Sequence, residues 1–106
     1  MPKYLVQANY VGEGVKGLLK EGGTSRRAVV EKLAKSVGGA LETLYYAFGE
    51  TDVFAILDLP DNASMAALAL TVAASGAVTI KTTVLITPEE VDGAVKKSPN
   101  YRAPGQ

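Results

Sequence analysis

Between Gly49 and Asp61 the chain reads Gly-Glu-Thr-Asp-Val-Phe-Ala-Ile-Leu-Asp-Leu-Pro-Asp, a tight turn followed by a β-strand and then a helix start. The run before it, Leu41 to Phe48, is also strand-like, so Gly49 and Asp52 close a hairpin. Pro60 ends the second of these strands, and Asp61 stands where a helix N-cap belongs. Strand, turn, strand and helix in this succession form the middle of a βαββαβ unit. The pattern constrains the fold and leaves the chemistry open, because no spacing in it demands a particular reaction.

The flanks complete the unit. Tyr4 to Asn9 has the content of a strand and is broken by Gly12-Glu13-Gly14, which lacks the spacing of a phosphate-binding loop. Val15, Leu18 and Leu19 make one apolar side of a short helical turn bounded by Gly22-Gly23. Thr24 is placed to cap a longer helix in which Val29, Leu33 and Val37 recur four residues apart, until Gly38-Gly39 ends it. After Pro60 a helix is expected from about Asn62 to Ser75, with Met65, Leu68 and Val72 on one side and Gly76 as its stop. Between Met65 and Ala74 its only polar residue is Thr71, so burial on more than one side is expected. Ala77 to Ile86 alternates as a fourth strand, and Thr87-Pro88-Glu89-Glu90 is a capping box that starts a short helix ending near Lys97. The expectation is an α+β domain over residues 1–97, a four-stranded antiparallel sheet with helices on one face, followed by an extended tail over 98–106.

Period-two alternation assigns the two sheet faces. In the third strand Val53, Ala55, Leu57 and Leu59 form an apolar row suited to the helices, leaving Asp52, Phe54, Ile56 and Asp58 opposite. By the same period that second face receives Gln7 and Asn9 from the first strand, Thr43 and Tyr45 from the second, and Lys81 and Thr83 from the fourth. Phe54 and Ile56 flanked by carboxylates do not suit bulk water. Pairing this face with another copy's sheet would enclose a mixed polar and apolar pocket, a plausible ligand site. A domain of 106 residues buries only about two thirds of its unfolded surface, which also favours self-association.

Composition narrows the partners and the chemistry. Lys plus Arg and Asp plus Glu both number 11, so no net field steers the chain towards nucleic acid or an anionic membrane, and neither is expected as a partner. With no Cys and no His, a disulfide framework, a thiol nucleophile and the usual transition-metal sites are not expected, and no cofactor is called for. Carboxylates, Lys, Tyr and hydroxyls remain. No segment offers the ~20 apolar residues of a membrane span, and the N-terminus lacks a leader pattern, so a cytoplasmic protein is the expectation.

Val15-Lys16-Gly17-Leu18-Leu19 after the first strand, Arg26-Arg27 in the first long helix, the Gly49 to Asp61 block, and Gly76 before a Thr-rich last strand together resemble the GYD-domain family over roughly Tyr4 to Glu90. That family lies in the dimeric α/β-barrel group of ferredoxin-like folds, so the resemblance implies a homodimer or higher oligomer closed through its sheets. Its signature is glycine, a variable residue, tyrosine and aspartate. Gly49 and Asp52 match it, while Thr51 stands at the aromatic position, so no role of the tyrosine ring carries over.

The candidate ligand-binding residues are Gln7, Asn9, Tyr45, Asp52, Asp58 and Lys81, with Tyr45, Asp58 and Lys81 setting the pocket's polarity. Each has a structural reading beside the functional one. Asp52 suits a turn that hydrogen-bonds nearby backbone, and Asp61 a helix cap. Asp58 and Lys81 would form an acid and base pair, or an ion pair that only specifies packing. Tyr45 and Tyr46 point to opposite faces, one into the core and one towards a cavity. Arg26 and Arg27 suit an anion at a helix start, or a solvated face. The leading functional expectation is a binding or regulatory module for a small organic ligand. The alternatives are a cofactor-independent monooxygenase, isomerase or lyase, by analogy of fold alone, and a structural assembly module with no pocket.

Overall fold

The computed structural model describes residues 1–106. In chain order the elements are β1 (Lys3–Tyr10), α1 (Glu13–Glu21), α2 (Gly23–Ser36), β2 (Ala40–Tyr46), β3 (Val53–Asp58), α3 (Asn62–Ala74), β4 (Val78–Leu85) and α4 (Pro88–Lys97). The strands form one sheet in the order β2-β3-β1-β4, every neighbouring pair antiparallel. This is the ferredoxin-like βαββαβ arrangement, with α1 and α4 added to its two long helices.

The sheet divides by residue parity as the alternation requires. Tyr4 and Val6 of β1 and Leu57 of β3 are buried in one cluster with Ala34 of α2 and Met65 and Leu68 of α3, and Val53 and Ala55 of β3 are buried on the same face of the sheet. Burying one such aliphatic side chain contributes about 1.5–3 kcal/mol, so this row carries much of the fold's stability. Tyr4, almost wholly enclosed, keeps its hydroxyl satisfied by donating to Asn62 Oδ1 at 2.6 Å. Leu59, fully buried just past β3, donates its backbone N–H to Pro2 O at 3.1 Å.

Local capping signals act where the sequence puts them. Asp61 accepts from Ser64 N at 2.8 Å and starts α3. Thr87 and Glu90 exchange both bonds of a capping box at 3.1 Å and start α4, whose last residue is Lys97. Gly76 takes φ 74° just beyond α3, a conformation that costs a residue with a Cβ.

Thr24 does not cap α2. The helix begins two residues earlier than a cap at Thr24 implies, at Gly23, with Gly22 at the N-cap and no side-chain bond. The reason lies in the element before it. Instead of a single turn, Val15 to Leu19 belongs to a nine-residue helix, α1, which closes when Gly22 N reaches Leu18 O at 2.8 Å. The chain then reverses at Gly22, φ 83°, straight into α2, and Thr24 is left inside the first turn. The helix α1 lies hard against the start of β4: a Cβ on Gly14 would stand 2.1 Å from the Ala77 carbonyl oxygen.

Apolar side chains stay uncovered on the outside of the single chain. Met65 and Leu68 bury one side of α3, while Leu70 on its outer side is 72% exposed. Every residue of α4 and of the segment 98–106 is exposed, and the latter forms no helix or strand. No helix is long and apolar enough to cross a membrane.

Candidate functional site

The open sheet face is ordered in rows by the register. Tyr45, Phe54, Gln7 and Lys81 form one row from β2 to β4, Thr43, Ile56, Leu5 and Thr83 the next, and Asp58, Lys3 and Leu85 a third. Gln7, Tyr45, Asp58 and Lys81 therefore share a face, as parity requires. They do not converge. Lys81 faces Gln7 on β1, whereas Asp58 faces Lys3, so the two lie two strands and four residues apart. At ~4.8 Å per strand and ~3.4 Å per residue that is about 17 Å between Cα atoms, beyond the reach of the two side chains. The expected pairing of Asp58 with Lys81 is thus corrected: Asp58 Oδ1 accepts from Lys3 Nζ at 2.8 Å. Lys3 also reaches Glu42 Oε1 at 2.6 Å, because a bulge between Leu41 and Thr43 swings Glu42 towards it. The hydrogen bond to Asp58 first, then that to Glu42, raises the Lys3 pKa above its ordinary 10.5.

Asn9 and Asp52 are committed to the hairpin. Asp52 Oδ2 accepts from Tyr10 N at 3.0 Å, and Asn9 Oδ1 accepts from Asp52 N at 2.8 Å. Ala47 N donates to Asp52 O at 2.8 Å and closes the connection. The aspartate of the signature is a turn residue that staples the β2–β3 connection to the end of β1, its structural reading.

On the other side of the sheet the helices leave space. An open cleft of about 460 Å³ lies among Tyr10, Leu18, Gly23, Tyr46, Phe48 and Asp52, within the size range of ligand pockets. Beside it, an interior space of about 90 Å³ separates the sheet from α2 and α3, bordered by Val29, Leu33, Val72 and Val78. A groove of about 300 Å³ runs between α1 and α2 along the same four residues. Tyr10 borders all three, and Arg26 borders the interior space and the groove.

The polar groups here are few. Tyr46, the inward member of the Tyr45–Tyr46 pair, donates its hydroxyl proton to Gly23 O at 2.9 Å and ties β2 to the start of α2. Burial first, then the neighbouring Tyr10, raises its phenol above the ordinary 10.0, so it is a donor at neutral pH. Tyr45, by contrast, is 69% exposed on the open face. The Arg26 side chain is 28% exposed and its guanidinium lies 3.6 Å from Glu21 Oε2, while Arg27 reaches Glu31 across the solvent-facing side. Tyr10 is the residue that sequence reasoning missed. Its signal was its even number: it shares parity with Tyr4 and Val6 and so belongs to the helix side.

No three His, Cys, Asp or Glu side chains gather closely enough to hold a metal ion, and every buried side-chain polar atom has a hydrogen-bond partner. What the arrangement offers is an apolar enclosure with phenol and guanidinium donors at its rim.

Neither the curated proteins nor the solved structures contain a significant match to this chain. The GYD domain family model matches residues 4–95, from the first buried tyrosine of β1 to the last turn of α4. With the matching span reaching into every strand and all four helices, the chain belongs to the GYD domain family.

Proposed function

We propose that this GYD-domain protein is a self-associating module that binds a small organic ligand, and that the ligand occupies the space between the sheet and the helices. The observation that carries this reading is the cleft, interior space and groove meeting at Tyr10, apolar except for phenol, guanidinium and carboxylate groups and the Ser75 hydroxyl. The satisfied state of the buried polar atoms favours binding over catalysis, since a reacting group is usually held with its hydrogen-bonding capacity in hand. The open face serves association. Leu5, Phe54, Ile56 and Leu85 run across it as an apolar band bounded by the Lys3, Asp58 and Glu42 corner, and two such bands stacked face to face leave water.

A thermal-shift screen of small carboxylic acids, phenols and quinones tests the location. Leu18 borders both the outer cleft and the groove, so Leu18→Trp fills them and is expected to abolish the stabilisation that hits give the wild type. Lys81→Met, on the open face, is expected to keep it. Hits lost in Lys81→Met and retained in Leu18→Trp would move the site to a pocket between paired sheets.

A further inference from the structure

We infer that the ligand of this space is an apolar organic acid whose carboxylate is held by Arg26, an inference that rests on the helix-side location proposed above. Around the interior space Arg26 is the one charged residue, the others being aliphatic apart from Tyr10 and Tyr46. A cation at the wall of so apolar an enclosure calls for a compensating anion. The protein supplies one poorly. Glu21 is the sole carboxylate within ion-pair distance, and at 3.6 Å it is too far for a hydrogen bond to the guanidinium. The planar fork of N–H donors is left with bidentate capacity, the geometry that matches a carboxylate.

The surroundings fit the rest of such a molecule. Val29, Leu33, Val72 and Val78 line both the interior space and the groove that Arg26 borders, giving an alkyl or aryl body a shared apolar wall. The Tyr10 ring borders both spaces beside it. Arg26 also sits in the first turn of α2, whose N-cap, Gly22, offers no side-chain oxygen, so the positive end of that helix is uncompensated by a cap. Three acids stand near. Glu13 and Glu21 border the groove, and Asp52 borders the outer cleft with Oδ2 taken by Tyr10 N. Glu21 is the competitor: a half-exposed pair at this distance is worth little, so an incoming carboxylate displaces it from Arg26 at small cost. Arg27, one residue on, is excluded from this role because it borders neither the interior space nor the groove.

Octanoate and 1-octanol share a tail and differ in the head group, so calorimetric titration of both into the full chain separates head-group recognition from apolar burial. The expected result is that Arg26→Met weakens octanoate by about tenfold to a hundredfold, the worth of hydrogen bonds to a charged group, and leaves 1-octanol unchanged. Arg27→Met removes the same formal charge from the solvent side, where salt screens it, and is expected to change octanoate by no more than about twofold. Glu21→Gln removes the competitor and is expected to tighten octanoate, a gain that general loss of structure cannot imitate. Octanoate that binds Arg26→Met as it binds wild type, or that binds Glu21→Gln more weakly, overturns the assignment of Arg26. In that case 1-octanol binding that Leu18→Trp abolishes still upholds the helix-side location, whereas failure of both compounds to bind the wild type overturns location and ligand class together.

Discussion

Replacing Gly14 by Ala sets two physical effects of opposite sign against each other. Helix propensity alone favours the change by at most about 1 kcal/mol, the interior value, because Gly14 is the second residue of α1 and glycine loses more backbone freedom in a helix than alanine. The packing opposes it. The new Cβ would stand 2.1 Å from Ala77 O and 3.0 Å from Ala77 C, and both belong to backbone that cannot swing aside like the end of a side chain. That carbonyl also accepts the 2.9 Å bond from Val11 N that anchors the entry to α1, so relief of the clash lifts the helix from β4 and breaks the bond. Overpacking of this kind costs about 1–3 kcal/mol and the lost hydrogen bond about 0.5–1.5 kcal/mol. Even after the full propensity gain a net destabilisation of about 0.5–3.5 kcal/mol remains, a fall in Tm of roughly 4–8 °C per kcal/mol for a domain near this size. Gly17 supplies the control, since it lies in the same helix and a Cβ added there would meet nothing within 4 Å, so Gly17→Ala should be stabilising. Urea unfolding at fixed protein concentration, followed by far-ultraviolet circular dichroism, measures both. If Gly14→Ala proves as stable as Gly17→Ala, α1 does not rest on Ala77, and the outer cleft it walls is not formed as described.

Three further outcomes are expected. Phe54→Asp places a charge in the apolar band of the open face and should shift light scattering towards monomer, whereas Val53→Ala, on the helix side, should lower stability without changing the oligomer. Hydrogen bonds from the Ser64 backbone and then its hydroxyl depress the Asp61 pKa below its ordinary 3.8, so its carboxylate stabilises the fold fully above that value and loses the effect as pH falls through the lower folded-state pKa; the stability gap between wild type and Asp61→Ala should close over that acid range. Dialysed protein should carry no stoichiometric zinc, copper or iron by elemental analysis, and a chelator should leave its Tm unchanged.

Much of this protein follows from relations between residues close in the chain. Asp61 with Ser64, and Thr87 with Glu90, act over three positions, so the starts of α3 and α4 were legible from side-chain type and spacing alone. Alternation likewise settled which residues of β1 and β3 face the helices, because a strand's period is a local property of its backbone. Tyr45 and Tyr46 were separated onto opposite faces by the same rule. The start of α2 was misplaced at Thr24 because the reversal at Gly22 depends on α1 packing against the sheet, a contact no short window of sequence contains.

Partner choice across strands is of another kind. Asp58 meets Lys3, 55 positions away in the chain, and misses Lys81, because antiparallel register places β1 between β3 and β4. Parity says which face a residue occupies but not how far along that face its neighbours lie. The same holds for the cavity. Tyr10 ends β1, Tyr46 ends β2 and Arg26 completes the first turn of α2, three ordinary positions in the sequence that the fold alone brings to one rim. Local chemistry decides where elements begin and which side is buried; the distances that make a site are set by how separate elements stack, and that depends on the whole chain at once.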